Sequence, residues 1–186
     1  MEPGNVIFRG KTEKDLAVIL RYPKKSDLAG LLSYINTLSK ERTFIRVQGE
    51  EITIEEEKEY IDKIIKHVKT NQGVHLFAFS RRKLIGTADI TLKEKAERHV
   101  GNFGISIAKE FRGKGVGRLL LRKILEEAKN NLPGLKIVTL SVFANNPIAK
   151  KMYESFDFKT LGNLPGGAIH RGKFVDHIFL YKEIGK

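Results

Sequence analysis

Cysteine is absent from this chain of 186 residues, which removes disulfides, thiolate metal sites and a cysteinyl acyl intermediate together. That suits a reducing compartment, and a cytoplasmic location is expected. Long apolar runs are missing too. No stretch approaches the roughly 18 to 20 apolar residues that cross a bilayer, so no membrane partner is expected. The opening MEPGNVIFRGKTEKD lacks an apolar core ahead of a small-residue cleavage site, and no secretory signal is read there. Glutamine occurs only at Gln48 and Gln72 while Glu and Lys abound, a bias seen in proteins from hot environments. No repeat or Pro/Ser-rich linker divides the chain, so one domain over residues 1–186 is expected, with 1–15 a polar arm or extra strand. His67, His75, His99, His170 and His177 show no helical ligand pair, and no metal is expected.

What is present is positive charge. Lys and Arg number 34 against 22 Asp and Glu, a formal net charge of +12. Such a field draws anions, whether a nucleic acid, an acidic protein or a phosphate-rich cofactor, and it also describes a merely solvated Lys-rich surface. The aromatics fall on core-facing runs and not among exposed Lys and Arg, so nucleic acid is not the expected partner.

Periodicity gives an α/β order. Leu16 to Arg21 reads as a strand, and Ser26 opens a helix through Ser39 with Leu28, Leu31, Leu32 and Ile35 on one face. Thr53 and Glu56 form a capping box for a helix to about Lys69. Val74–Ser80, Leu84–Leu92 and His99–Ile107 form a three-stranded meander. A helix follows and ends at Pro133-Gly134; Lys136–Phe143 is a strand that returns parallel, and Asn146-Pro147 starts a helix to about Ser155. Strands near Phe158–Leu161 and Phe174–Tyr181 close the chain around a glycine-rich loop.

The chemistry centres on Arg112-Gly113-Lys114-Gly115-Val116-Gly117, between a strand and a helix. Glycines let main-chain N–H groups approach a phosphate, and the helix adds its unpaired first-turn donors and positive dipole end. Lys114 and Arg118 add charge at the rim. No Walker loop is present, and a dinucleotide fingerprint would need glycine where Arg118 stands. The bland alternative is a tight strand-to-helix connection.

ISIAKEFRGKGVGRLLLRKILEEA resembles the acetyl-CoA-binding segment of the GCN5-related N-acetyltransferase (GNAT) superfamily, with Arg112, Gly115 and Gly117 on its [RQ]-x-x-G-x-[GA] pattern. SVFANNPIAKKMYESFDF resembles the family's next segment, with Asn146, Ala149 and Tyr153 in order and spacing. The resemblance is strong from about Leu84 to Lys159 and topological before that.

It implies a single-domain fold whose mixed, mostly antiparallel sheet of six to seven strands splays between strands 4 and 5, flanked by about four helices. It implies acetyl-CoA as cofactor. The main chain of Ile105 and Ile107 would pair with the pantetheine arm, Gly113 to Arg118 would hold the pyrophosphate, and Asn146 would support the arm or cap its helix. It implies direct transfer of acetyl to a primary amine, on a protein lysine, an N-terminus or a small molecule. Tyr153 would be the acid that protonates the leaving sulfur, or simply a tyrosine packed on the sheet. Relatives carry their base eleven to thirteen residues before the first motif residue, where this chain has no carboxylate. His99 and then Glu97 are therefore the candidate bases, against the plain reading of His99 as a loop histidine. A homodimer is admitted. The rival reading is a non-catalytic acyl-CoA-binding or regulatory module, for which Asp157, standing where relatives have glycine, leaves room.

Overall fold

The structure, a computed structural model, describes residues 1–185. Eight strands and four helices follow in the order β1 (Val6–Lys11), β2 (Ala17–Arg21), α1 (Leu28–Glu41), α2 (Ile54–Lys69), β3 (Gly73–Ser80) and β4 (Lys83–Leu92). Then come β5 (Val100–Ile107), α3 (Val116–Asn131), β6 (Ile137–Phe143), α4 (Pro147–Glu154), β7 (Lys159–His170) and β8 (Lys173–Glu183). One sheet in the order β1-β2-β3-β4-β5-β6-β8-β7 holds all eight, and only the β5–β6 pair is parallel. The sheet thus has one or two strands more than the sequence suggests, because the polar N-terminal stretch is itself a strand. The family's fourth strand is β5 here, and its fifth is β6.

Strand alternation sorts the β3–β5 side chains between two layers. Ile90, Phe103 and Ala88 face α3 and α4, joining Leu120, Leu121, Ile124 and Tyr153 in the larger core. Phe77 belongs with Leu31, Tyr34, Leu38, Ile61 and Ile64 of α1 and α2 in the smaller one. The capping box of α2 forms as read: Glu56 N–H donates to Thr53 Oγ1 at 3.3 Å, and Thr53 N–H to the Glu56 carboxylate at 2.8 Å. Helix α1 begins at Leu28 after a short 3-10 turn, with Asp27 rather than Ser26 before it.

The glycine-rich stretch near the C-terminus is not a loop. It is most of β7, and the reversal comes at Arg171-Gly172, both with positive φ. β7 is an edge strand, so Pro165 costs no ladder bond, and the shift in register between Leu164 and Ala168 absorbs it.

Candidate active site

β5 and β6 pair over only three positions, Val100–Ile137, Gly101–Val138 and Asn102–Thr139, and then separate. β5 keeps its partner on the other side as far as Ile107. Ala108 N–H donates to Ile85 on the β4 side, so alternation turns the main-chain groups of Phe103, Ile105 and Ile107 toward the gap. The Ile107 carbonyl there accepts from Arg112 Nε at 2.9 Å. Beyond the last paired position, Ile105 keeps a free strand edge beside an opening.

The glycine turn stands at the wide end of the fork. Gly113 and Gly115 have φ of 70° and 79°, where a side chain is disfavoured, and nothing would meet a Cβ on Gly113 within 4 Å. The first main-chain bond of α3 runs from Leu119 to Gly115. The N–H groups from Gly113 to Arg118 find no acceptor among the described residues and line the mouth of the turn, an arrangement that fits a pyrophosphate. Arg118 donates to Ser155 Oγ at 2.9 Å and lies 3.6 Å from Glu13, while Lys114 stands over the Phe111 ring. The Arg112 guanidinium is instead committed to Glu41 at the end of α1. Its side chain ties a helix to the turn, and the turn offers anions its main chain.

At the narrow end sits Tyr153, 6 % exposed, its ring edge-on to Phe103 at 6.0 Å and to Phe158 at 6.1 Å. Phe103 directly follows the last paired residue of β5. The Tyr153 hydroxyl has no hydrogen-bond partner among the described residues, and burial raises its pKa, so it is a proton donor at neutral pH. Asn146 accepts from Ala149 N–H at 3.2 Å and caps α4 ahead of Pro147, with its amide nitrogen left over.

His99 and Glu97 are not gathered with these residues. His99 precedes the first paired position of β5, its carbonyl accepts from Lys136 and Ile137, and its exposed side chain lines a shallow depression of about 450 Å³ with Pro133 and Lys136. Glu97 lies in a short 3-10 turn, paired with Lys93 at 2.6 Å. All three paired positions separate both from the fork and from Tyr153.

A carboxyl that sequence reasoning missed does lie beside the fork. Asp89 on β4 pairs with Gly104 of β5, and a Cβ at Gly104 would stand 2.8 Å from Asp89 Oδ1. Glycine there lets the carboxyl lean over β5 on the α1–α2 face. Burial pushes its pKa up to about 7, against a bond with Thr91 that works the other way. On the same face, Tyr34, Ser106 and Thr87 form a hydroxyl chain, with Tyr34 to Ser106 at 2.9 Å and Ser106 to Thr87 at 3.0 Å. A lone carboxylate in the strand KLIGTADITL was the only signal in the sequence. A group of three or more His, Asp or Glu able to hold a metal does not occur among the described residues.

A forked mixed sheet with a glycine turn at its wide end and a tyrosine at its narrow end defines the class of acyl-CoA-dependent transferases. The sequence model of the acetyltransferase (GNAT) family matches residues 36–158, and the chain belongs to that family. L-amino acid N-acetyltransferase AaaT of Escherichia coli is 29% identical over 98 residues, a match spanning 52% of this chain and 60% of that protein. A GNAT-family acetyltransferase of Streptococcus pneumoniae superposes with a TM-score of 0.82 at 29% identity, over 90% of this chain and 99% of that one. YncA of Salmonella typhimurium, solved with its cofactor acetyl-CoA, shares the fold, with a TM-score of 0.78 at 16% identity over 91% of this chain and 95% of its own. No helix among the described residues is long and apolar enough to cross a membrane.

Proposed function

We propose that this chain transfers acetyl from acetyl-CoA to a primary amine, of a protein lysine, an N-terminus or a small molecule, by direct attack. The observation that carries the reading is the fork, a strand edge left unpaired at Ile105 beside Tyr153, a buried residue whose hydroxyl has no hydrogen-bond partner among the described residues. Acetyl-CoA supplies a thioester carbonyl and a thiolate leaving group. The N–H groups from Gly113 to Arg118 hold its pyrophosphate, Lys114 and Arg118 face its charge from the rim, and Ile105 and Ile107 pair with the arm. Asn146 steadies the arm through its free amide nitrogen while its oxygen caps α4.

The amine enters from the α1–α2 face, where Asp89 takes its proton. A carboxyl with a pKa near 7 is half ionised at neutral pH and is matched to that task. Tyr153 returns a proton to the sulfur. His99 and Glu97, held at the closed end, have no part in this reading. The cysteine-free composition fits a reducing cytoplasm. The same reading includes a homodimer through β7 and β8, the sheet edge at which Leu161, Leu164, Ile169 and Phe174 are exposed. Light scattering at twice the chain mass tests that part.

The activity is tested by thiol release from acetyl-CoA against a panel of amines, peptides and basic proteins. Turnover with one acceptor class is the expected result. Tight acetyl-CoA binding with no turnover on any acceptor would favour the non-catalytic binding module.

A further inference from the structure

Helices α1 and α2 cover the sheet from β3 inward, but leave the same face of β1 and β2 bare. Alternation places Arg9 and Lys11 of β1 and Ala17, Ile19 and Arg21 of β2 on that face. With Phe79 of β3, Lys24 and the turn residues Arg81 and Arg82, they line an open groove of about 660 Å³. Its floor is apolar and its rim cationic. The groove's one carboxylate, Asp27, is already taken by both ends of the Arg21 guanidinium, at 2.7 and 2.5 Å. Arg21 in turn stands over Phe79, its guanidinium carbon 4.2 Å from the ring centre. Lys11 is held by Asp15 at 2.7 Å. Arg9, Lys24, Arg81 and Arg82 have no acidic partner among the described residues, so four cations repel one another around one groove.

The β3–β4 turn adds a second, independent sign. Ser80 and Lys83 close a two-residue hairpin, and both residues between them have positive φ, 46° at Arg81 and 69° at Arg82. Asn-Gly is the low-cost choice for such a turn. Two arginines hold it instead, exposed and unpaired, where their side chains contribute nothing to the packing. A local rule broken without a structural gain marks a functional position.

We propose that this groove binds the phosphodiester backbone of single-stranded nucleic acid. Guanidinium forks match phosphate oxygens, three of the four unpaired cations are arginines, and the chain's net charge of +12 draws a polyanion from a distance. The sequence argued against nucleic acid because no aromatic could be placed among exposed Lys and Arg. Phe79, under Arg21 at the groove floor, stands at such a place, and the guanidinium that covers it is the surface a base would meet. The groove shares no residue with the acetyl-transfer site, so this inference stands apart from that one.

The test is fluorescence anisotropy of a labelled twelve-nucleotide oligo-uridine RNA with the full chain across a salt series. Coenzyme A is kept in excess, so that the glycine turn does not report. Four phosphate contacts predict a slope of about −3 for log affinity against log salt concentration. The variant Arg81→Asn/Arg82→Gly removes two contacts while giving the turn its preferred residues. Its slope should halve and its affinity fall roughly 20-fold at 0.1 M salt, with melting temperature unchanged or higher. RNA affinity unchanged in that variant, or poly-L-glutamate binding where the RNA does not, overturns the proposal.

Discussion

Thr12 Oγ1 donates to the main-chain carbonyl of Lys114 at 2.8 Å, joining the tip of the first hairpin to the glycine turn across 102 positions of sequence. The same oxygen accepts from Lys14 and Leu16 N–H at 3.3 Å each. Thr12 is buried, and a Cβ on Gly115 would lie 3.1 Å from it. The hairpin therefore fixes which way the Lys114 peptide points, and with it the N–H groups that follow. Thr12→Val keeps the shape and removes these bonds, each worth about 1 kcal/mol. The KM for acetyl-CoA should rise about 5- to 20-fold with the acceptor KM unchanged, and Thr12→Ser should restore it. A steady-state KM and kcat comparison with both substrates varied checks this.

Asp89 gives a pH signature with a definite sign. Its pKa rises from 3.8 unfolded to about 7 folded, so its contribution to stability is complete below pH 4 and is lost as pH climbs through 7. Asp89→Asn should therefore be more stable than the native chain at pH 8, by up to a few kcal/mol, in urea titrations. In the same variant the rise of kcat/KM between pH 6 and 8 should flatten and its plateau fall by 10²-fold or more. An unchanged pH profile would remove Asp89 from the proton path.

His67 and His75 stack at 5.8 Å between α2 and β3, each with one buried ring nitrogen lacking a partner. Burial lowers both pKa values, that of His75 to about 3, and Lys63 adds to each effect. Here the sign is opposite. Stability is intact above pH 6.5 and falls as the pH drops toward 3, because the unfolded chain takes the protons first. His75 alone accounts for about 1.4 kcal/mol per pH unit below 6.5. Asp89, opposite His75 on β4, runs the other way with about the same slope between pH 7 and 4, so the two cancel in the native chain. Chemical denaturation of Asp89→Asn at pH 7, 6 and 5 should show a falling midpoint, and adding His75→Phe should flatten it.

Local signals were legible, and assembled ones were not. The Thr53–Glu56 box, the glycine turn and the Asn146–Tyr153 helix each lie in a few consecutive residues whose chemistry depends on spacing alone, and each is found where the sequence puts it. The stretch from Gly162 to Gly167 looked like a loop because an edge strand can carry Pro and Gly with no more than a shift in register. The reading of His99 as base counted along one strand. Pairing brought the carboxyl from the neighbouring strand through the space Gly104 leaves, and only the register between β4 and β5 reveals that. Glu41 and Thr12 reach the turn in the same way, from elements far off in sequence.

The most direct test is the turnover of Tyr153→Phe with an acceptor amine, read beside its affinity for acetyl-CoA and its melting temperature. Phenylalanine keeps the edge-on contacts with Phe103 and Phe158 and removes only a hydroxyl that has no partner among the described residues. kcat should fall by about 10²-fold or more, with affinity and melting temperature close to native. Native turnover in this variant would contradict this, leaving Tyr153 a packing residue and the proton on the sulfur without a source in this chain.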